Sequence, residues 1–173
     1  MKKIKILLAT GMVCLFSACA TSPSQPNAST PQPKPTERLT YLKEGDSFPV
    51  ASVVDINNQT IALNNAGQKK LIILFATWCS DSQRFVKQLN ASPLVKANNI
   101  KIIGIGRNES KESLTTFAQD FSINYSLVPD ENRDIYNQVA NVGIPRIILI
   151  DEQNIIVKTI IGESANTIEQ VVW

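Results

Sequence analysis

Leu71-Ile72-Ile73-Leu74-Phe75-Ala76 is an unbroken apolar run of strand length, and the polar or reactive residues Thr77-Trp78-Cys79-Ser80-Asp81-Ser82 follow it at once. A strand that is apolar on both faces belongs at the centre of a sheet covered on both sides, because a half-solvated strand alternates instead. Ile100-Lys101-Ile102-Ile103-Gly104-Ile105-Gly106 reads as a second buried strand. Between the two, Phe85, Val86 and Leu89 recur at helical spacing up to Pro93. After the second, Leu114, Phe117, Ala118 and Phe121 fall on one face of a helix over about 110–121. Strands alternating with helices favour parallel pairing and predict an α/β sandwich.

The flanks add antiparallel strands. Residues 48–56 and 60–63, on either side of Asn57-Asn58-Gln59, read as an N-terminal hairpin. A short strand is expected at 125–128 and a helix over about 131–140. Pro145 then opens a hairpin whose strands are 146–151 and 155–161, and a last helix is expected over about 164–173. No segment repeats. Gly104 and Gly106 lack the third glycine of a dinucleotide fingerprint, so they read as close backbone packing at a strand end.

The N-terminus is an address. Met1-Lys2-Lys3-Ile4-Lys5 is a short basic head, and the apolar stretch 6–16 is too short to span a bilayer comfortably, the pattern of a secretory signal. It closes on Leu15-Phe16-Ser17-Ala18-Cys19, which resembles the bacterial lipobox, with Phe16 where leucine is usual. The resemblance implies that residues 1–18 are a lipoprotein signal peptide and that Cys19 is acylated and becomes the mature first residue. An uncleaved anchor or an ordinary signal peptide are the alternatives. Ala20, in place of aspartate, resembles lipoproteins sent to the outer membrane of Gram-negative cells. Residues 19–38 hold prolines at 23, 26, 31, 33 and 35 and no large apolar side chain, so they read as a semi-stiff tether. At about 3.1 Å per residue it would hold the folded domain, 39–173, at most about 60 Å from lipid. The expected location is the cell envelope, lipid-anchored on the periplasmic side.

Composition narrows the chemistry. Of 17 basic residues, Lys2, Lys3 and Lys5 lie in the leader, which has no acid, so 14 basic residues face 15 acidic ones in the remainder. A near-neutral domain gives no electrostatic reason to expect nucleic acid as a partner. Histidine is absent, which removes Ser-His-Asp and Cys-His pairs and any imidazole ligand. Neither a metal nor another cofactor is expected.

The order hairpin, buried strand, Trp-Cys at a helix start, buried strand, helix, strand, helix, proline-led hairpin resembles the thioredoxin fold over 39–173. In particular it resembles the membrane-anchored TlpA/ResA group, with its extra N-terminal hairpin and its β-α insert. The marks are Phe75-Ala76-Thr77-Trp78-Cys79, Val142-Gly143-Ile144-Pro145 and Ile150-Asp151. The resemblance implies a three-layer sandwich with a central mixed sheet. In the family the first motif runs Trp-Cys-x-x-Cys, and the second cysteine resolves the mixed disulfide made by the first. Here that position is Ser82. A hydroxyl forms no disulfide, and with Cys19 on lipid the mature domain has one thiol. The family's cis-proline matches Pro145, which lies against the active cysteine and presents the backbone of the preceding residue, here Ile144, to bound peptide. Trp78 is either a contact surface beside the site or a filler of the core edge. Glu109 matches an acidic residue near the active site of the ResA-like group, which implies an acid/base role.

A cysteine at a helix N-terminus sits where unpaired N–H groups and the helix dipole favour the thiolate, which is the nucleophile. Ser82, one turn along, is expected to donate a hydrogen bond to that sulfur, while Asp81 opposes the charge. Without a resolving thiol, attack by Cys79 on a disulfide leaves a mixed disulfide that persists until an external thiol breaks it. The expected activity is monothiol exchange, as reductase or isomerase, on envelope or periplasmic proteins with cysteine thiols or disulfides. Two other readings stand beside it. One is a non-catalytic thioredoxin-fold binding module in which Cys79 is a residual small apolar side chain. The other is a thiol peroxidase, although peroxiredoxins typically carry Thr-x-x-Cys and Ala76 stands at the threonine position.

Overall fold

The computed structural model describes residues 37–173. The expected leader over 1–18, Cys19 with its expected lipid, and the expected tether as far as residue 36 lie outside the described residues.

Two short strands, β1 (Ser52–Val54) and β2 (Thr60–Ala62), pair antiparallel. Their turn is built locally: Asp55 Oδ1 accepts the N–H groups of Asn57 at 2.8 Å and Gln59 at 2.9 Å, and Asn58 takes a φ of 60°. This hairpin is shorter than expected, and Phe48 and Leu63 enter the core from outside it. In chain order follow β3 (Lys69–Phe75), α1 (Ser80–Ala91), β4 (Ile100–Arg107), α2 (Lys111–Asp120), β5 (Ser126–Asp130), α3 (Tyr136–Val139), β6 (Arg146–Ile150) and β7 (Ile156–Ile161).

The last five strands form one mixed sheet in the order β5-β4-β3-β6-β7. β3, β4 and β5 run parallel; β6 is antiparallel to β3, and β7 to β6. The apolar run at 71–76 explains the centre. Leu71, Ile73 and Phe75 point to one face, where Phe85, Val86 and Leu89 of α1 and Leu114 and Phe117 of α2 cover them. Ile72, Leu74 and Ala76 point to the other, into a cluster with Val53 and Ile61 of the hairpin and Tyr136 and Val139 of α3. Each large apolar side chain so buried contributes about 1.5–3 kcal/mol relative to exposure. The result is the expected thioredoxin-like three-layer sandwich with an N-terminal hairpin.

Gly104 and Gly106 do the packing expected of them. A Cβ at Gly104 would lie 2.7 Å from Leu127 Cδ2, and one at Gly106 would lie 2.7 Å from Leu114 Cδ2 and 2.9 Å from Glu109 Cβ.

Two expected helices are corrected. In place of 131–140, helix occupies only the single turn of α3. Asp130 takes the N–H groups of Ile135 at 3.0 Å and Tyr136 at 2.8 Å, and Arg133 adopts a φ of 65°, so the intervening residues form a turn. The expected helix over 164–173 is a 3-10 turn, Thr167–Gln170. Trp173 is fastened instead by its indole N–H to the Ile150 carbonyl at 2.9 Å.

The chain enters the domain beside α3. Thr40 forms an antiparallel bridge with Ala140, the Tyr41 N–H donates to Val139 O at 2.7 Å, and Asn141 Nδ2 donates to Glu37 O at 2.7 Å. No helix among the described residues is long and apolar enough to cross a membrane.

Candidate functional site

Cys79 is the N-cap of α1, with extended backbone (φ −85°, ψ 119°). Its side chain makes no capping hydrogen bond. The first-turn N–H groups of a helix lack intrahelical acceptors, so the positive end of the α1 dipole is left uncapped beside the sulfur. Cys79 is half-buried, packed against the edge of the cluster that holds Ala76 and Ile144. The Sγ lies 3.7 Å from the Ile144 carbonyl oxygen, to which the thiol donates. The Ile144–Pro145 peptide bond is cis. Cys79, Ile144 and Pro145, 65 residues apart at the sulfur-to-carbonyl contact, are therefore brought together at one place.

Ser82 falls on the buried stripe of α1 with Phe85, Val86 and Leu89, at 0% exposure. Its hydroxyl oxygen accepts from the Ala76 N–H at 3.4 Å. Its bond is thus to the end of β3, and the hydrogen bond expected between Ser82 and the sulfur is not the one formed. Asp81 does not stand alone against the thiolate either. Its carboxylate pairs with Arg84 Nη1 at 2.6 Å, and Arg84 Nη2 also donates to the Glu163 carbonyl at 2.9 Å.

Trp78, next to Cys79 in the chain, is 66% exposed, so it does not fill the core edge. Glu109 is buried, and its carboxylate is directed at Thr77. Oε1 accepts from the Thr77 N–H and from its hydroxyl, both at 2.7 Å, while Oε2 accepts from the Ser113 hydroxyl at 2.6 Å. Glu109 anchors the loop two residues before Cys79, and none of its hydrogen bonds is to the sulfur. Gln83 Nε2 completes the clamp by donating to the Thr77 carbonyl at 2.6 Å. Thr77 and Gln83 escaped the sequence reading. The signal available was a threonine between a buried strand and a helix, a position where local side-chain bonds decide the turn.

The family resemblance is carried by more than geometry. A family model described as Redoxin matches residues 43–172. The chain belongs to the Redoxin family. Among curated relatives, the thiol-disulfide oxidoreductase ResA of Bacillus subtilis (strain 168) is 24% identical over 123 residues, covering 70% of this chain and 69% of the relative. ResA of Geobacillus kaustophilus (strain HTA426) is 26% identical over 126 residues, covering 71% and 72%. Solved structures show the same fold. The thioredoxin domain of a thiol-disulfide oxidoreductase from Bacteroides vulgatus superposes with a TM-score of 0.60 at 22% identity, covering 76% of this chain and 99% of that one. A thiol:disulfide interchange protein of the thioredoxin family from Chlorobium tepidum TLS gives 0.57 at 19% identity, covering 75% and 95%. The expected TlpA/ResA-like, thioredoxin-fold character of this Redoxin chain therefore stands.

Proposed function

We propose that this protein is a thiol-disulfide oxidoreductase of monothiol type, tethered to a membrane of the cell envelope through lipid on Cys19 and acting on envelope proteins through Cys79. The observation that carries the reading is the half-exposed sulfur at the uncapped start of α1, 3.7 Å from the Ile144 carbonyl, with a serine in place of a second thiol one turn behind it. The names of the ResA relatives support the reaction class.

In the first step the Cys79 thiolate attacks one sulfur of a substrate disulfide. A Cys79–substrate disulfide forms, the substrate S–S bond breaks, and the second substrate sulfur leaves as a thiolate. In the second step an external thiolate, from another substrate cysteine or a small thiol, attacks the substrate-side sulfur and frees Cys79 as thiolate. Each step makes one disulfide and breaks one, so no separate oxidant is needed. Ser82 cannot perform the second step, because oxygen forms no disulfide. Trp78 and the backbone of Ile144 are the proposed surface for the incoming chain.

Acid-quench trapping tests this reading. Full-length protein and its Cys79→Ser variant are expressed in the host, quenched, and resolved without reductant; Cys79-dependent mixed disulfides with envelope proteins are expected, accumulating because nothing inside the domain resolves them. If Cys79 reacts with iodoacetamide yet no such adduct is recovered, exchange is abandoned in favour of a binding module. Retention of the protein in the membrane fraction, lost in Cys19→Ser, checks the tether.

A further inference from the structure

We propose that Arg146 is a positioning residue for this exchange reaction, holding the Ile144 carbonyl against the Cys79 sulfur by gripping the two peptide groups that precede it. The proposal rests on the exchange reading above and extends it to a residue that touches neither sulfur nor substrate.

Arg146 opens β6 and is 1% exposed, one of the largest fully buried side chains among the described residues. A buried guanidinium is unfavourable unless its donors are met, and the usual remedy is a carboxylate. Among the described residues no carboxylate pairs with it. Its donors go to neutral oxygens instead. Nε donates to the Gly143 carbonyl at 3.2 Å, Nη2 to the Val142 carbonyl, and Nη1 to the Thr40 hydroxyl at 2.6 Å. Tyr136, fully buried, adds a second donor to Gly143 O at 2.8 Å.

These contacts converge on one stretch of backbone. Two successive carbonyls, of Val142 and Gly143, turn inward to the guanidinium, and the next, of Ile144, turns to Cys79 Sγ. Gly143 has a φ of 91°, and a Cβ there would sit 3.5 Å from Arg146 Nη2. The loop therefore lies close over the cation in a conformation that favours glycine. Three acceptors on different sides suit the planar fork of arginine and not the single ammonium of lysine. Through Thr40 the same fork also reaches the segment bridged to Ala140, so the loop is braced from its far side.

The test separates loop position from sulfur reactivity. The full chain and its Arg146→Met, Arg146→Lys and Thr40→Val variants are reacted with two probes. Iodoacetamide reads the sulfur alone. A ten-residue peptide carrying one cysteine as its mixed disulfide with glutathione reads exchange, with the Cys79–peptide disulfide formed and glutathione thiolate released. Arg146→Met is expected to raise the half-saturating peptide concentration about tenfold, with alkylation within about twofold of the parent; Arg146→Lys does not rescue it, and Thr40→Val lies between. Unchanged peptide saturation in Arg146→Met, equal losses with both probes, or full rescue by lysine overturns the proposal. If circular dichroism shows Arg146→Met unfolded, Thr40→Val decides: unchanged saturation there overturns it equally. A parent protein that alkylates but never exchanges with the peptide overturns the exchange reading itself, a different result from an exchanging parent whose variants behave alike.

Discussion

One carboxylate oxygen of Glu109 accepts both the N–H and the hydroxyl of Thr77, each at 2.7 Å. The contact joins the loop before α2 to the loop that leaves β3, and with Gln83 on its carbonyl Thr77 has every polar group engaged. Residues 77–79 are thereby delivered to the start of α1 in one conformation, from which the sulfur meets Ile144.

Glu109→Ala is expected to destabilise the fold by about 2–4 kcal/mol in urea unfolding, since it strands two Thr77 donors and leaves the Ser113 hydroxyl only the Ser110 carbonyl at 3.0 Å, and hydrogen bonds to charged groups contribute about 1.5–3 kcal/mol. Glu109→Gln, which keeps one acceptor oxygen, loses about 1 kcal/mol. A variant within about 0.5 kcal/mol of the parent would show the anchor to be dispensable.

Ser82→Cys puts a second sulfur on the buried stripe of α1. Oxidation of the isolated variant is expected to remove both domain thiols from thiol-reagent titration, and the trapped mixed disulfides should fall by about tenfold because the new thiol displaces the partner. The lost hydrogen bond from Ala76 makes the variant less stable by about 1 kcal/mol. Persistence of the adducts at parental levels would mean that more than the missing sulfur prevents self-release.

Gly106→Ala drives a methyl group toward Leu114 and Glu109. Overpacking of this kind costs about 1–3 kcal/mol, and here the displaced residue is the anchor of Thr77. Chemical denaturation should register the loss, and Cys79 alkylation should slow with it. Normal stability with normal alkylation would contradict the tight packing.

Alkaline pH tests the packing around Tyr125, which lies against the helix-covered core cluster just before the edge strand β5. Burial raises the pKa of Tyr125 above its ordinary value, and its hydroxyl has no partner. The folded state therefore keeps a proton that the unfolded chain releases above about pH 10, so Tyr125 favours folding below that pH and its contribution declines as pH rises further. Lys70 acts in the opposite sense: burial lowers its pKa, so the folded state gains on the unfolded one as pH climbs toward the unfolded value. The informative comparison is consequently between parent and Tyr125→Phe. The phenylalanine variant should lose stability less steeply between about pH 10 and pH 11.5, and identical slopes would exclude Tyr125 as the source.

How far the sequence could be read depended on whether a residue's partners lay nearby in the chain. β3 was legible because its apolar residues fill both faces, and α2 because Leu114 and Phe117 fall on the one face that it buries. Cys79 and Pro145 were legible through a family pattern. Arg146 was not: a charge opening an apolar strand looks like a strand end, and its partner Thr40 is 106 residues away. The segment 131–140 misled because its apolar spacing is helical while Asp130 and Arg133 enforce a turn. For Ser82 the position was read correctly and the bond was not, since the burial of its stripe turns the hydroxyl toward Ala76.

β3 is paired on both sides along most of its length and runs directly into the reactive loop. The sulfur is thus offered just beyond a strand paired along both edges, the opposite of a site mounted on a locally melting loop. A polypeptide that approaches Cys79 therefore meets a loop whose leading end is already held in place by the sheet.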